Sequence, residues 1–224
     1  MSIKDKTEVS FVTREIAKHW ILNKHYAGRM PSISFYFGLY YRGNLIGICT
    51  YGKPASHSLC KGICGAEYAD LVLELNRLIT IDNSPKNAES YFVSQTLSML
   101  PKPKIIVSYA DTSQNHHGYI YQATNFIYTG LSDKHVRWEI KGKDKHARHY
   151  FDKYGGVNKA KEILGDKLIR TQRPRKHRYV YFVGNKRFKK KMKNELNYEE
   201  KPYPKGDNKE YNTGGKIVNQ SKLF

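Results

Sequence analysis

Residues 71–79 read Leu71-Val72-Leu73-Glu74-Leu75-Asn76-Arg77-Leu78-Ile79, and residues 105–111 read Ile105-Ile106-Val107-Ser108-Tyr109-Ala110-Asp111. Both segments are apolar enough to be buried strands, and the amphipathic segment 88–100 between them predicts a helix. Polar side chains nevertheless lie within or at the end of these strands, namely Glu74, Asn76, Arg77, Ser108 and Asp111. An unpaired buried polar group costs free energy, so a buried strand carries such groups only where they are paired or line a site.

The composition is strongly basic. Lys and Arg number 39 against 20 Asp and Glu, which gives a net charge of +19 over 224 residues. A charge of this size favours a polyanionic partner, nucleic acid first and an anionic membrane second. The 18 tyrosines fit nucleic acid because rings stack on bases, although tyrosine-rich sheets also simply pack well. No apolar run approaches the roughly 20 residues that span a bilayer, and no signal-peptide core follows Met1, so we expect a cytoplasmic protein without a membrane partner.

The three cysteines are Cys49, Cys60 and Cys64. An odd number argues against a disulfide framework. Cys60 and Cys64 are four residues apart, yet no second pair completes a zinc site. We therefore expect buried or site-lining thiols, with structural zinc as the alternative.

The order of predicted elements indicates an α/β (α+β) fold. The spacing of apolar residues predicts a helix over 7–23, and the turn at Arg42-Gly43-Asn44 predicts a hairpin over 34–51. Further strands are predicted at 127–128, 135–140 and 179–183, with a short helix at 157–165. The expected architecture is a mixed central sheet flanked by helices, with a basic C-terminal extension.

This order resembles that of the GCN5-related N-acetyltransferase (GNAT) fold. The closest local match is the segment from Tyr121 to Phe126, which resembles the Tyr-x-x-x-Gly-Phe signature that closes the acyl-CoA site in that fold. Asn125 stands in place of the glycine. Asn tolerates a left-handed backbone nearly as glycine does, so the substitution is compatible with the signature.

We expect the chain to divide at two points: residues 1–150 as a GNAT-like catalytic core, 151–196 as a basic extension that contacts DNA, and 197–224 as a loosely ordered tail. The segment 173–193 contains ten Lys or Arg residues and no acid, which favours DNA contact over a merely solvated segment. The residues predicted to contact DNA are Arg29, Arg173, Arg175, Lys176, Arg178, Lys186, Arg187, Lys189 and Lys190.

Four short blocks, taken in order, resemble the Mom family of phage DNA-modification proteins. The blocks are His25-Tyr26-x-x-Arg29-Met30-Pro31-Ser32, Ser58-Leu59-Cys60-Lys61-Gly62-Ile63-Cys64-Gly65, Glu74-Leu75-Asn76-Arg77-Leu78 and Ser108-Tyr109-Ala110-Asp111. The resemblance implies a GNAT-like enzyme that converts adenine in phage DNA to an N6-carbamoylmethyl (acetamido) derivative and so protects the DNA from host restriction. It also implies double-stranded DNA as the partner and the cytoplasm of the infected host cell as the location.

The resemblance to the GNAT fold implies a site for acetyl-CoA or another acyl donor. In that fold two parallel strands diverge, the pantetheine lies between them, and the diphosphate binds free amides at the next helix N-terminus. The implied donor-binding residues are Leu78, Ile79, Lys86, Asn87, Ser90 and Asn125. The usual glycine-bearing loop is absent, because residues 83–88 read Asn83-Ser84-Pro85-Lys86-Asn87-Ala88. An ordinary loop with an N-cap at Asn87 or Ser84 is the alternative.

Adenine N6 is a poor nucleophile because its lone pair is delocalised into the ring, so a site that modifies it needs a proton acceptor and a group that polarises the donor. The candidates are Asp111, His25, Tyr26, Arg77, Ser108 and Tyr121. Asp111 is the leading acid/base candidate, with capping of the following loop as its alternative. His25 is expected, with Tyr26, in a loop over the site as a base or metal ligand; an ordinary loop histidine is the alternative.

Arg77 is expected either to hold a donor carbonyl or phosphate or to neutralise Glu74 or Asp111. In a regular strand Asn76 and Arg77 point to opposite faces, unless a β-bulge separates them. Ser108 and Tyr121 are expected to hydrogen-bond the donor, and a core tyrosine with a satisfied hydroxyl is the alternative for Tyr121.

The implied product raises a chemical difficulty. Acetyl transfer gives an N–CO–CH3 amide, whereas the family product has an N–CH2–CO–NH2 linkage. Either the donor is not acetyl-CoA, or a redox metal or second enzyme rearranges the group; iron held by His25, Asp111 and a tyrosine is one candidate. Two rival functions are an N-acetyltransferase acting on a protein or small amine, and a non-catalytic basic nucleic-acid-binding protein on a GNAT scaffold.

Overall fold

The computed structural model describes residues 6–25, 28–142, 150–151 and 153–206. Its strands are β1 (Thr7–Phe11), β2 (Phe35–Tyr41), β3 (Asn44–Gly52), β4 (Val72–Thr80), β5 (Lys104–Asp111), β6 (Ile127–Leu131), β7 (Val136–Ile140), β8 (Leu168–Gln172) and β9 (Lys176–Val183). Its α-helices are α1 (Arg14–Lys24), α2 (His57–Cys64), α3 (Ala88–Met99), α4 (Tyr119–Ala123), α5 (Val157–Leu164) and α6 (Lys186–Asn194). Short 3-10 helices follow α2, β5 and α5, at Ala66–Leu71, Thr112–Gln114 and Gly165–Lys167.

Within this part of the chain, seven strands form one sheet in the order β1-β2-β3-β4-β5-β9-β6, and β7 pairs with β8 in a separate two-stranded sheet. Strands β4 and β5 are parallel, and the other pairs are antiparallel. The expected mixed sheet flanked by helices is confirmed.

The first predicted helix is partly wrong. Residues 7–11 form β1, which pairs with β2 along its whole length, and α1 begins only at Arg14 after the N-cap Thr13. The Thr13 side chain accepts a hydrogen bond from the Ile16 amide at 3.4 Å, which ends the strand and starts the helix.

Helices cover both faces of the sheet. Helices α3 and α4 pack on one face, against core residues that include Leu73 and Ile106. Helices α2 and α6 pack on the other face against Val107 and Val180, and α1 covers the same face further along, at Ile48. The three cysteines are free and buried, as expected.

The two central parallel strands pair over only part of their length. Their ladder runs from Val72 opposite Ile105 to Leu75 opposite Ser108 and ends there, although both strands continue. On the β3 side, Thr50 pairs with Arg77 and Tyr51 with Leu75, so Asn76 is the extra residue of a β-bulge. The strands therefore diverge at the polar positions of β4.

The C-terminal part of the described chain wraps around the edge strand β6. The Lys201 amide donates to the Tyr128 carbonyl at 2.8 Å, and the Tyr203 hydroxyl donates to the Phe126 carbonyl at 2.7 Å. Residues 197–206 thus pack on the sheet, while 207–224 lie outside the described residues. Strand β9 lies inside the main sheet, so the chain beyond the predicted boundary at residue 150 shares that sheet; the DNA-contacting role of 151–196 stays a prediction. Among the described helices, none has the length and apolar character needed to cross a membrane.

Candidate active site where strands β4 and β5 diverge

Charged side chains from three strands meet on the face of the sheet that α1 covers. The bulge at Asn76 shifts the alternation of β4, so that Glu74 and Arg77 face the same side. Asp111 at the end of β5 is opposite Lys176 at the start of β9, and Lys176 Nζ lies 3.0 Å from Asp111 Oδ2. We refer to the space around these four residues as the cleft.

Residues 28–34, which follow α1, cross over β4. Side chains of β4 donate hydrogen bonds to their main-chain carbonyls. Asn76 Nδ2 donates to the Ser32 carbonyl at 2.8 Å, and Asn76 Oδ1 accepts from Thr50 Oγ1 at 2.7 Å. Arg77 Nη2 donates to the Arg29 carbonyl at 2.9 Å. A Cβ at Gly52 would overlap the Ser32 carbonyl, so this loop approaches β3 closely because glycine stands there. Asn76 and Arg77 of β4 therefore position residues 28–34, the segment that follows His25 in the sequence.

Two roles were left open for Asp111, acid/base catalysis and capping of the following loop, and the position of its carboxylate allows both. Its Oδ1 accepts from the Ser113 amide at 3.0 Å and the Ser113 hydroxyl at 2.7 Å, which caps the following 3-10 helix, and its Oδ2 faces Lys176. Burial would raise the pKa of the carboxyl, but the hydrogen bonds from Ser113 and Lys176 outweigh it, and the pKa lies below its usual value. Asp111 is therefore an ionised carboxylate at neutral pH.

The electrostatics of the cleft place His25 beside two cations. Burial, followed by the positive charges of Arg77 and Lys176, lowers the pKa of His25 to about 4. The imidazole is thus uncharged at neutral pH and able to accept a proton. Burial raises the pKa of Glu74, while Arg77 and Lys176 act in the opposite direction. A proton acceptor, two carboxyl groups and two cations share one cleft.

The other described catalytic candidates, Ser108 and Tyr121, lie on the face of the sheet that α3 and α4 cover. Ser108 is fully buried at the last paired position of β5, and its hydroxyl donates to the Leu75 carbonyl at 3.0 Å. Tyr121 lies on α4, where its ring packs against Phe126 and Tyr179 with centroids 5.3 and 5.2 Å apart. Tyr26 lies outside the described residues. The structure brings together His25, Arg77 and Asp111 and leaves Ser108 and Tyr121 on the opposite face.

The residues expected to bind a donor are spread over β4, the start of α3 and the end of α4, and Ile79 faces α1. Helix α3 begins at Ala88, and Asn87 before it has a left-handed backbone with φ 66° and makes no side-chain cap; Ser84 donates to the Ile81 carbonyl at 2.6 Å instead. Ser90 donates to the Asn87 carbonyl at 3.2 Å. Leu78 and Ile79 follow the bulge in β4, with Leu78 on the face of α3. Asn125 has φ 60°, which confirms the left-handed backbone expected there.

The two parts of the expected donor site differ in the groups they offer. Beyond Leu75 the edge of β4 that faces β5 is not paired with β5, which leaves main-chain groups for an extended ligand. At the α3 N-terminus, Lys86 supplies a positive charge, but Glu89 in the first turn supplies a negative one and is fixed by Thr80 Oγ1 at 2.8 Å.

Iron binding finds no support in the geometry. In residues 6–25, 28–142, 150–151 and 153–206, no group of three or more His, Cys, Asp or Glu side chains is placed to hold a metal ion. The expected ligand pair, His25 and Asp111, shares its cleft with the cations Arg77 and Lys176, whose positive charges oppose metal binding.

The basic residues predicted to contact DNA fall into three groups. Arg175 and Arg178 are directed inwards: Arg175 Nη2 donates to the Leu131 carbonyl at 3.1 Å, and Arg178 is buried, donates to Thr129 Oγ1 at 2.9 Å and stacks on Tyr198. Lys176 is part of the cleft. The remaining members are exposed, namely Arg29, Arg173, Lys186, Arg187, Lys189 and Lys190.

Sequence reasoning missed the role of Lys176 in the cleft. The strand was expected to begin at Tyr179, whereas β9 begins at Lys176. The alternation of His177, Tyr179 and Tyr181 with Lys176, Arg178 and Val180 was the signal that extends the strand backwards.

Comparison with known proteins identifies relatives by sequence and solved structures of partly similar shape. The model of the Mom protein family matches residues 6–205. The methylcarbamoylase mom of Escherichia phage Mu is 26% identical over 196 residues, which cover 85% of this chain and 80% of that protein. Among solved structures, yncA of Salmonella typhimurium with its cofactor acetyl-CoA has a TM-score of 0.45 at 9% identity and covers 80% of this chain and 95% of its own. An aminoglycoside N(6')acetyltransferase of Legionella pneumophila has a TM-score of 0.46 at 11% identity, with 87% and 97% covered. Structural likeness at this level says nothing about substrate or reaction.

Proposed function

The chain belongs to the Mom protein family, and from that premise we propose that it modifies adenine in phage DNA, placing a carbamoylmethyl group on N6. The modified DNA would then resist host restriction, and the reaction would take place in the infected cell. One observation carries the proposal: residues from three separate sequence blocks, His25 of the first, Glu74 and Arg77 of the third and Asp111 of the fourth, lie on one face of the sheet at the cleft. The second block, 58–65, instead forms α2 and packs in the core.

The cleft offers groups suited to a weak nucleophile. An extruded adenine needs a proton acceptor near N6, and both the Asp111 carboxylate and the uncharged His25 imidazole are available at neutral pH. Lys176 orients the carboxylate through its contact with Oδ2. Arg77, held between the Asn76 and Arg29 carbonyls, directs positive charge into the cleft, where it would stabilise developing negative charge on the donor.

The donor in this proposal is acetyl-CoA or another acyl donor, extended along the unpaired edge of β4, with Leu78, Ile79 and Asn125 beside it and Lys86, Asn87 and Ser90 near its phosphates. When bound, it would supply carbon for the product. Transfer from an acetyl thioester alone would break the C–S bond and place a carbonyl carbon on N6, so the methylene on N6 and the amide nitrogen of the proposed product would require a donor other than acetyl-CoA or a second enzyme. The two products differ in mass.

Double-stranded DNA is the proposed macromolecular partner. Extruding a base from the duplex costs a few kcal/mol, which phosphate contacts can supply. Exposed cations support this role at both ends of β9: Arg173 before the strand, and Lys186, Arg187, Lys189 and Lys190 on α6 after it.

The test is mass analysis of nucleosides from the DNA of cells that express the chain. The proposal expects a modified deoxyadenosine with the mass of the carbamoylmethyl product, lost in Asp111→Asn. Asp70→Asn is the matched control, because Asp70 is also paired with a lysine, Lys53 at 2.8 Å, but is exposed and outside the cleft. Absence of any modified deoxyadenosine from the wild type would reject the proposal. Acetylation of a protein or amine would then favour the acetyltransferase alternative. DNA binding without any modification would favour a non-catalytic nucleic-acid-binding protein.

A further inference from the structure

The two-stranded sheet of β7 and β8, which we call the ribbon, leaves the main sheet at the cleft. Strands β6 and β9 pair as far as Leu131 opposite His177, and the Ser132 amide then donates to the Lys176 carbonyl at 2.7 Å. The Arg173 amide donates to the His135 carbonyl at 2.7 Å, directly before the ribbon begins. The β6–β9 pair therefore continues into the ribbon as one long antiparallel arm that starts at the cleft residue Lys176.

The base of this arm is clamped. Arg175 Nε donates to the Ser132 carbonyl at 2.5 Å and its Nη2 to the Leu131 carbonyl at 3.1 Å. The Lys176 amide also donates to Ser132 Oγ at 3.0 Å. These bonds join the two segments of the arm at the ends of β6 and β9, between the main sheet and the ribbon, and so hold the ribbon in a fixed relation to the cleft.

The two faces of the ribbon differ. On one face, Trp138 is opposite Arg170, and Lys161 Nζ of α5 lies 5.2 Å from the centroid of the Trp138 ring. Ile140 on this face is buried, whereas Val136 at the end nearer the cleft is 49% exposed.

The other face presents four side chains in two opposed pairs. These are Arg137 opposite Thr171 and Glu139 opposite Ile169, and Ile169 is 40% exposed. Arg137 forms an ion pair with Glu139, and its Nε donates to Thr171 Oγ1 at 3.4 Å. An ion pair between two exposed side chains contributes little free energy, so both groups can exchange it for a base edge.

We propose that this second face enters the major groove of DNA beside the target adenine and contacts base edges there. The inference rests on the proposed function, and it assigns the recognition of the bases around the target. A two-stranded ribbon fits the major groove, which is about 12 Å wide, and adenine N6 lies in that groove. Each outer residue has a base-edge partner: Arg137 suits guanine, Glu139 cytosine N4, and Ile169 the thymine methyl, while Thr171 suits several bases.

Reach and charge agree with this placement. Thr171 is five residues from Lys176, so at about 3.4 Å per residue it and the opposite Arg137 lie at most about 17 Å from the cleft, or roughly five base pairs. Ile169 is seven residues from Lys176 and lies at most about 24 Å away, or roughly seven base pairs. Residues 133–175 lie between β6 and β9 and contain the ribbon. They include 13 Lys or Arg against six Asp or Glu. That surplus favours phosphate contacts on both sides of the groove.

The experiment measures binding of the full chain to a 20-base-pair DNA duplex by fluorescence anisotropy, beside the same sequence as duplex RNA. Arg137→Thr and Thr171→Val keep residues that favour strands. Each should weaken DNA binding about tenfold, the typical loss for one base contact. Neither should change RNA binding, because the deep, narrow major groove of RNA excludes side chains. Lys18→Ala, which removes an exposed cation on α1, should leave both affinities unchanged.

A second measurement sequences the modified adenines in cells that express each variant. The ribbon variants should change the preferred bases within about five base pairs of the target, and Lys18→Ala should not. Unchanged DNA affinity together with unchanged sequence preference would overturn the inference, as would equal losses on DNA and RNA. Absence of modification by the wild type rejects the proposed function instead, and the DNA-against-RNA comparison still decides the role of the ribbon.

Discussion

Cations cluster at both ends of strand β9, but three of those at the cleft end are bound within the protein, whereas those that follow the far end are exposed. At the cleft end, Arg175, Lys176 and Arg178 are each bound within the protein, to main-chain carbonyls, to Asp111 or to Tyr198. At the far end, roughly 23 Å away along the strand, α6 exposes its lysines to solvent and buries only Met192. Charge counted along a sequence therefore does not distinguish cations that build a site from cations that are free to meet a polyanion.

The largest expected effect tests the cleft end. Asp111→Asn removes a carboxylate that accepts from Ser113 and faces Lys176, so it should reduce DNA modification by about 100-fold or more, the usual loss for a general acid or base. DNA affinity should stay near that of the wild type, because the α6 lysines are unaffected. Nucleoside mass analysis and anisotropy give the two readouts. Modification by Asp111→Asn at the level of Asp70→Asn would remove Asp111 from the chemistry.

The second prediction compares stability at the two ends. Arg178→Ala should lower the free energy of unfolding by about 2 kcal/mol, because it removes a buried stack on Tyr198 and the hydrogen bond to Thr129. Lys190→Ala on the exposed side of α6 should change it by no more than about 0.5 kcal/mol. Urea unfolding followed by circular dichroism measures both. Equal effects would mean that the two ends are not as different as the contacts indicate.

The third prediction tests the far end. The triple variant Lys186→Gln, Lys189→Gln, Lys190→Gln should lower the slope of log affinity against log salt by about 2.7, since each phosphate contact contributes about 0.9. The modified product and its sequence preference should not change, because phosphate contacts carry no base information. Lys18→Gln serves as the control and should leave the slope unaltered. A slope that the triple variant does not alter would exclude α6 from the DNA-binding surface.

The same contrast explains what could be predicted from the sequence. Strands β4 and β5 and their polar positions were predictable because Glu74, Arg77 and Asp111 interrupt apolar segments, and buried polar groups must be paired or functional. The inward direction of Arg178 and the contact of Lys176 with Asp111 were not predictable, because both depend on the register of β9 against β5. Register is set by pairing between distant segments, which composition does not record.

Strand β1 was missed for a related reason. Val9, Val12, Ile16 and Trp20 have helical spacing across a boundary at Thr13 that separates a strand from a helix. The strand exists because Thr7–Phe11 finds β2 as a partner. Local periodicity cannot distinguish a short strand joined to a helix from one longer helix.

The smallest expected effect is a pH dependence confined to the cleft end. His25 has a pKa of about 4 in the folded protein, against 6.5 for the ordinary side chain. As pH falls below about 6.5, the unfolded chain binds the proton first, so the stability from the uncharged imidazole, complete above that pH, is lost progressively towards pH 4. Because the ring is partly exposed, solvent screening should keep the loss to about 1 kcal/mol.

His25→Gln removes this dependence, so its free energy of unfolding should fall less than that of the wild type between pH 7 and pH 4.5. His57→Gln, which removes an exposed imidazole on α2, should follow the wild type. Urea unfolding at the two pH values measures all three proteins. If His25→Gln and the wild type lose equal stability, His25 does not lie beside Arg77 and Lys176 in solution. The cleft would then have one proton acceptor in place of two, and Asp111 alone would fill that role.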